Sequence, residues 1–219
     1  MYARELHAVG PMVVDASDRA LALRLIRSPA SERVTGAARA TGADGKIVGL
    51  PPATVDRLWA KGLADYVLVE ADGSRGLPLK AFASYEPEVP DASSIIVVVA
   101  GLDAVGRPLT AEHVHRADAL ASTLGVSPGV EVTPHLLARA LSEQVCRIRR
   151  RWPRPRLAVL LNKADGRDGE ALGFAVAREL VASAGDAGRP PTDGRTTPDV
   201  VVVASLRRGC FVRVPLVEA

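Results

Sequence analysis

The chain has 219 residues, of which 47% are hydrophobic and 24% are charged, so its composition is that of a globular protein and excludes a disordered one. No apolar run approaches the roughly 20 residues that span a bilayer, and the first residues lack the apolar stretch of a signal peptide. Two distant cysteines, Cys146 and Cys210, favour neither a disulfide framework nor a zinc site. We therefore expect one domain over 1–219, located in the cytoplasm and without a membrane partner.

Strand and helix patterns alternate along the chain. A short strand is predicted at 12–14 and a helix at about 17–27. Apolar residues at consecutive positions predict strands covered on both faces at 66–69, 95–100, 157–161 and 200–203. Helical spacing predicts further helices at 51–64, at 111–124, after the N-cap pair Thr133-Pro134, and at 168–184. This order predicts an α/β protein with a mostly parallel sheet between helices, and the stretch 185–198 predicts a mobile surface loop.

Polar residues follow the carboxyl ends of the four longer predicted strands. They lie at 70–73, 101–103, 162–165 and 204–205. In an open parallel sheet, ligands bind in the crevice at these strand ends. We therefore expect the four segments to converge on one edge of the sheet.

Asn162, Lys163 and Asp165 follow a predicted buried strand with the spacing of the guanine-recognition motif of GTP-binding proteins. An ionised Asp165 can accept two hydrogen bonds from adjacent N–H groups of guanine, and the stem of Lys163 can lie along the base. Ser205, at the end of the next strand, lies in a segment that presents backbone N–H groups to the base in such proteins. The alternative is a strand-to-helix turn in which Asp165 or Asp168 only caps a helix.

Glu70 and Asp72 stand two positions apart at a predicted strand end, and therefore on one face if the strand continues. Two carboxylates with Arg75 and Lys80 close behind suit Mg²⁺ and the phosphates that it bridges. The alternative is a capped turn at 72–74 with surface ion pairs.

Other patterns are weaker. Asp103 and Gly106 have the DxxG spacing found in GTPases, but a turn is the favoured interpretation of so short a pattern. His113 and His115 lie on a predicted helix without sharing a face, which favours a surface role. No G-x-x-x-x-G-K-[ST] loop is present in the sequence, and 42–47 predicts a hairpin tip.

An arginine cluster ends one predicted helix. It comprises Arg147, Arg149, Arg150, Arg151, Arg154 and Arg156. A nucleic-acid interface would interleave such residues with aromatic side chains, whereas only Trp152 is present and two prolines break the segment. The favoured interpretation is a solvated helix end and linker, whose cations complement the helix dipole. We therefore expect no nucleic-acid partner.

The segment 67–80 reads VLVEADGSRGLPLK and is followed by Glu86-Pro87. It resembles the signature of YqeC-type proteins, a family of proposed accessory proteins of selenium-dependent molybdenum hydroxylases. Further blocks at 45–50, 99–103, 114–116 and 161–165 resemble the family in its order. The resemblance implies a P-loop NTPase fold with a three-layer, mostly parallel sheet, and a role in selenium cofactor maturation.

Members of that family begin with a strand and a glycine-rich GKT loop. Because Met1 matches the end of the threonine-rich stretch that follows the loop, we expect the first strand-loop-helix unit to be missing from this sequence.

Two functional hypotheses follow. In the first, the protein is a GTP-type NTPase with Mg²⁺ that acts on the hydroxylase or its cofactor. Its catalytic residues would be Glu70, Asp72, Arg75 and Lys80, with the two carboxylates as metal ligands, and its nucleotide-binding residues Asn162, Lys163, Asp165 and Ser205. In the alternative, the protein is a non-catalytic one that delivers the cofactor or docks on the hydroxylase.

Overall fold

The structure is a computed structural model, and it describes residues 12–15, 17–26, 36–38, 40–41, 45–182 and 197–215. The chain divides into two compact units. The first unit comprises Met1–Gly73 with Glu88–Ala92, and the second comprises Ser74–Pro87 with Ser93–Ala219. The expectation of one domain over 1–219 stays a prediction. Of the predicted surface loop at 185–198, only Thr197 and Pro198 lie among the described residues.

Among its described residues, the first unit contains short strands and two helices. Strand β1 (Met12–Val14) pairs in parallel with β2 (Gly36–Ala38), and helix α1 (Asp18–Ile26) lies between them in the chain. Strand β3 (Ala40–Thr41) pairs antiparallel with β4 (Ile47–Val48), followed by helix α2 (Pro52–Trp59). The strand predicted at 12–14 and the helix predicted at 17–27 are confirmed. Strands flank the hairpin tip predicted at 42–47, of which 42–44 lie outside the described residues.

A small apolar core holds the first unit together. Val13, Leu21, Ala22 and Leu58 are buried in one cluster, so β1 and the two helices share this core. The carboxylate of Asp56 in α2 accepts hydrogen bonds from the backbone nitrogens of Asp91 (3.2 Å) and Ala92 (2.8 Å). These contacts explain why 88–92 belongs to the first unit although it follows part of the second in the chain.

The strand predicted at 66–69 is wrong. The segment forms no strand, and its side chains are exposed, with Tyr66 at 86% and Leu68 at 95%. A strand exists only where a neighbour pairs with its backbone, and none of the described residues pairs with this segment. Apolar composition alone therefore misled the prediction.

The second unit is built on a four-stranded sheet, in which the strands lie side by side in the order Cys210–Val214, Val200–Ser205, Arg156–Asn162 and Ile95–Gly101. Strands β6 (Ile95–Gly101), β8 (Arg156–Asn162) and β9 (Val200–Ser205) run parallel, and β10 (Cys210–Val214) returns antiparallel beside β9. A separate two-residue ladder pairs β5 (Leu79–Lys80) with β7 (Val114–His115) in parallel. An α/β fold with parallel strands is thus confirmed, and strands are present at the positions predicted at 95–100, 157–161 and 200–203.

Helices of the second unit lie between these strands in the chain: α3 (Ala117–Leu124), α4 (Pro134–Arg151) and α5 (Gly169–Ala182). The predicted N-cap is confirmed, because the Thr133 hydroxyl accepts a hydrogen bond from the Leu136 nitrogen at 3.1 Å. The helix predicted at 111–124 begins only at Ala117. Val114 and His115 form β7, so His115 lies on a strand and not on a helix.

The prediction that the strands are covered on both faces is wrong for β6. Burial alternates along β6, where Ile96 and Val98 are buried while Ile95, Val97 and Val99 are half exposed. Helix α4 contacts β6 and helix α5 contacts β9, and their packing accounts for the buried face. A run of apolar residues is compatible with either one or two covered faces, so the sequence could not distinguish them.

The arginine cluster is only partly solvated, which corrects the interpretation as a solvated helix end. Arg149 is buried with 1% exposure, and its guanidinium donates to the Pro155 carbonyl (2.9 Å) and to Asp199 Oδ2 (2.6 Å). Arg147 donates to the carbonyls of Ala83 and Ser84. These two arginines therefore tie the end of α4 to neighbouring loops, which a helix-end pattern does not reveal.

Strand β10 was not predicted. Gly209, with φ of 65°, ends a 3₁₀ turn (Leu206–Arg208), and the following Cys-Phe-Val-Arg-Val sequence pairs back along β9. A glycine before a run of β-branched and aromatic residues is the signal that could have identified it.

No helix among the described residues is both long and apolar enough to cross a membrane.

Candidate functional site

Three strand ends meet at one edge of the main sheet. The register pairs Gly101 with Asn162 between β6 and β8, and Leu161 with Val203 between β8 and β9. The residues that follow these strands therefore lie side by side, as the sequence predicts for 101–103, 162–165 and 204–205. The fourth predicted strand end, at 70–73, belongs to the first unit.

The loop after β8 is fastened to the end of β9 by three hydrogen bonds. Asn162 Oδ1 accepts from the Leu206 nitrogen at 3.1 Å, and the Ala164 nitrogen donates to the Ala204 carbonyl at 3.0 Å. The Ser205 hydroxyl donates to Asp165 Oδ1. One hydrogen bond fixes each end of the loop and one its middle, so its conformation is set before any ligand binds.

Asp165 is exposed, while the Ser205 beneath its carboxylate is only 3% exposed. Ser205 engages Oδ1 and, among the described residues, nothing engages Oδ2. Each carboxylate oxygen has two lone pairs, so both oxygens retain capacity for further donors. The geometry presents an oriented carboxylate to solvent, which suits a ligand with two adjacent N–H groups.

Lys163 adopts a left-handed backbone conformation with φ of 67°, which is uncommon for a residue with a side chain. Its ammonium group lies 2.7 Å from Asp103 Oδ2. Both side chains are more than 40% exposed, so this ion pair contributes little to stability. Asp103 lies in a 3₁₀ turn (Leu102–Ala104), which confirms the favoured interpretation of the DxxG pattern as a turn.

The start of α5 packs tightly against the same loop. A Cβ atom added to Gly169 would lie 2.7 Å from the carbonyl carbon of Ala164 and 2.8 Å from its Cα. Real Cβ atoms do not approach other carbon atoms so closely, so this position requires glycine. The glycine lets the helix support the residue that precedes Asp165.

In the first unit, Glu70 and Asp72 do not lie on a strand, because no strand forms there. Asp72 Oδ2 accepts from the Glu88 nitrogen at 2.8 Å, and Glu70 is exposed. Hard carboxylate oxygens of this kind fit Mg²⁺, which keeps several of its waters and needs few protein ligands. Within the described ranges, no group of three or more His, Cys, Asp or Glu residues is arranged to hold a metal.

In the second unit, Lys80 belongs to a buried cluster centred on Glu86. Lys80 Nζ lies 3.0 Å from Glu86 Oε2. Arg116 binds both carboxylate oxygens, at 2.7 and 2.9 Å, and the Ala83 nitrogen donates at 3.1 Å. Burial would raise the pKa of Glu86, but these hydrogen bonds outweigh it and lower the pKa from 4.5 to about 2. Neither Glu86 nor Arg116 was singled out from the sequence as a functional residue.

Comparison with known proteins identifies one family. A family model described as "YqeC protein" matches residues 1–118. A protein of Escherichia coli (strain K12) named "Uncharacterized protein YqeC" is 39% identical over 84 residues, which cover 38% of this chain and 33% of that protein. The match thus spans about a third of the relative's length. No solved structure matches the chain.

Proposed function

Since the chain belongs to the YqeC family, we propose that it is a guanine-nucleotide-binding accessory protein. The observation that supports this proposal is the exposed Asp165 carboxylate, oriented by the buried Ser205 hydroxyl on a loop fixed by Asn162. The parallel strands that end at this loop fit a P-loop NTPase type of sheet, which is part of the proposal.

In the proposed complex, the N1–H and amino group of guanine donate to the two oxygens of Asp165. Adenine places an acceptor at the first of these positions and lacks the amino group, so it would leave the charged carboxylate unpaired. Hydrogen bonds to a charged group contribute about 1.5–3 kcal/mol each, which corresponds to roughly one to two decades in affinity. The stem of Lys163 would cover one face of the base.

Mg²⁺ would be held in the first unit by Glu70 and Asp72, whose oxygen ligands fit the ion. When bound, Mg²⁺ supplies charge neutralisation to phosphate oxygens. The signature at 67–80 leads us to propose selenium-dependent molybdenum hydroxylases, or their cofactor, as the target in the cytoplasm.

The test is a competition titration of GTP against ATP on the wild-type protein and on two variants. We expect wild type to prefer GTP, Asp165→Ala to lose the preference, and Asp168→Asn, an exposed neighbouring carboxylate, to retain it. Equal binding of both nucleotides by the wild-type protein would refute the guanine site. Binding of GTP without turnover would select the non-catalytic alternative.

A further inference from the structure

The two-residue ladder of the second unit places several cations together. Lys80 on β5 pairs in register with His115 on β7, so their side chains lie on the same face of the ladder. Arg116 follows His115 directly and turns the chain with φ of 62°. All of these residues lie outside the loop that holds Asp165.

One carboxylate balances this group of charges. Glu86 lies between Lys80 and Arg116 and forms an ion pair with each of them. The charge of Arg75 acts on His115 as well, so Arg75 is a third cation beside Lys80 and Arg116, with Glu86 as the carboxylate among these four residues. The positive charge of the group therefore exceeds its negative charge.

Arg75 and His115 are available to a ligand. Within the part of the chain that the structure describes, neither the Arg75 guanidinium nor the His115 imidazole has a hydrogen-bond or ion-pair partner. His115 is half-buried and Arg75 is exposed. Burial, followed by the positive charges of Arg116, Arg75 and Lys80, lowers the pKa of His115, while Glu86 acts in the opposite sense. The imidazole therefore lies in a positive field that an anion would neutralise.

Arg75 is held at the tip of a tight turn. The Leu77 nitrogen donates to the Ser74 carbonyl at 3.1 Å, and the Ser74 hydroxyl donates to the Leu77 carbonyl at 2.6 Å. Arg75 and Gly76 both have positive φ within this turn. The turn therefore fixes the backbone from which the guanidinium projects, and so reduces the entropy lost when a ligand binds.

We propose that Arg75 and His115, backed by the Lys80–Glu86–Arg116 cluster, bind a phosphate group. The planar guanidinium matches phosphate oxygens with two parallel donors, and the imidazole supplies a further N–H. Lys80 and Arg116 remain bound to Glu86 and contribute charge without leaving it. This proposal is independent of the guanine site.

The test uses inorganic phosphate and GTP as separate probes. The imidazole resonance of His115 is followed by NMR on wild type, Arg75→Gln and Asp165→Ala. The affinity for each probe is measured by calorimetry on these proteins and on His115→Asn. The matched control is His113→Asn, a partly buried histidine two positions away that lies 4.0 Å from Glu112.

We expect phosphate to shift the His115 resonance and raise its pKa, because a bound anion favours the imidazolium. Arg75→Gln and His115→Asn should each weaken phosphate binding about tenfold, whereas Asp165→Ala and His113→Asn leave it unchanged. If both His115→Asn and Asp165→Ala lower the affinity for GTP, the proposed site exists and its ligand is the phosphate chain of the nucleotide. If phosphate binds but only Asp165→Ala lowers the affinity for GTP, the proposed site exists and its ligand is a phosphorylated molecule other than the nucleotide. A His115 resonance unmoved by phosphate and by GTP in the wild-type protein would overturn the proposal.

Discussion

At the scale of the residue, Glu86 shows how a buried charge is kept ionised. It is 7% exposed, yet three donors bind its carboxylate and lower its pKa to about 2. A group whose pKa falls on folding stabilises the protein at pH values above its unfolded pKa, and this stabilisation is lost as the pH falls through the folded pKa. The shift from 4.5 to about 2 corresponds to roughly 3 kcal/mol.

We therefore predict that Glu86→Gln lowers the free energy of unfolding by about 3 kcal/mol at pH 7, since it removes the carboxylate that pairs with both Lys80 and Arg116. The difference from wild type should narrow as the pH falls from 4.5 towards 2. Urea unfolding between pH 7 and pH 2 measures the difference in the free energy of unfolding. The control is Glu88→Gln, which changes an exposed carboxylate. A difference that stays constant down to pH 2 would contradict the assigned role of the charge.

The spacing of the motif predicts Asp165 as a base-binding residue, but it does not reveal the contacts that orient its carboxylate. Ser205 was expected in a segment that presents backbone N–H groups to a base. In the structure its hydroxyl donates to Asp165, and the Leu206 nitrogen donates to Asn162. A motif fixes the identity of residues within one loop, whereas the partner from the next strand depends on the register between β8 and β9.

At the scale of the element, the loop 162–165 depends on the helix that follows it. Gly169 begins α5 where an added Cβ would lie within 3.0 Å of the Ala164 backbone. Because backbone atoms cannot yield as a flexible side chain can, the helix start or the loop must shift when a methyl group is added.

Gly169→Ala should therefore lower the free energy of unfolding by about 1–3 kcal/mol and weaken GTP binding, because it displaces the residue before Asp165. Gly166→Ala is the matched control, since nothing lies within 4 Å of a Cβ built there. Urea unfolding of both variants measures the change in stability, and GTP titration measures the change in affinity. Equal stability of the two variants would show that the loop adapts to the added methyl group.

Helix α4 and strands β6, β8 and β9 form where the sequence predicts them, whereas the strand predicted at 66–69 does not form. Helix α4 has a capping threonine and a proline at its first position, and it begins where the sequence predicts. The segment 66–69 has equally apolar residues but no pairing strand among the described residues. Strand formation depends on contacts distant in sequence, so local composition could not decide between these outcomes.

At the scale of the whole molecule, each of the two compact units carries part of the proposed chemistry. The main sheet and the proposed guanine and phosphate sites belong to the second unit, and Glu70 and Asp72 belong to the first. The division was not visible in the sequence, because the segment 74–87 joins the second unit while 88–92 returns to the first. The assignment of 88–92 to the first unit depends on tertiary contacts, such as those of Asp56 with 91–92, and no change in composition marks it.

The central claim is that Asp165 recognises the base through its two acceptor oxygens, and a reversal of specificity tests it most directly. Xanthine carries a carbonyl where guanine carries the amino group, so an amide side chain that donates there should prefer xanthine. Binding of GTP and XTP is measured on the wild-type protein and on Asp165→Asn. We predict that wild type prefers GTP by about tenfold or more, and that the variant prefers XTP. A variant that loses affinity for both nucleotides equally, or a wild type that binds both equally well, would contradict the assignment.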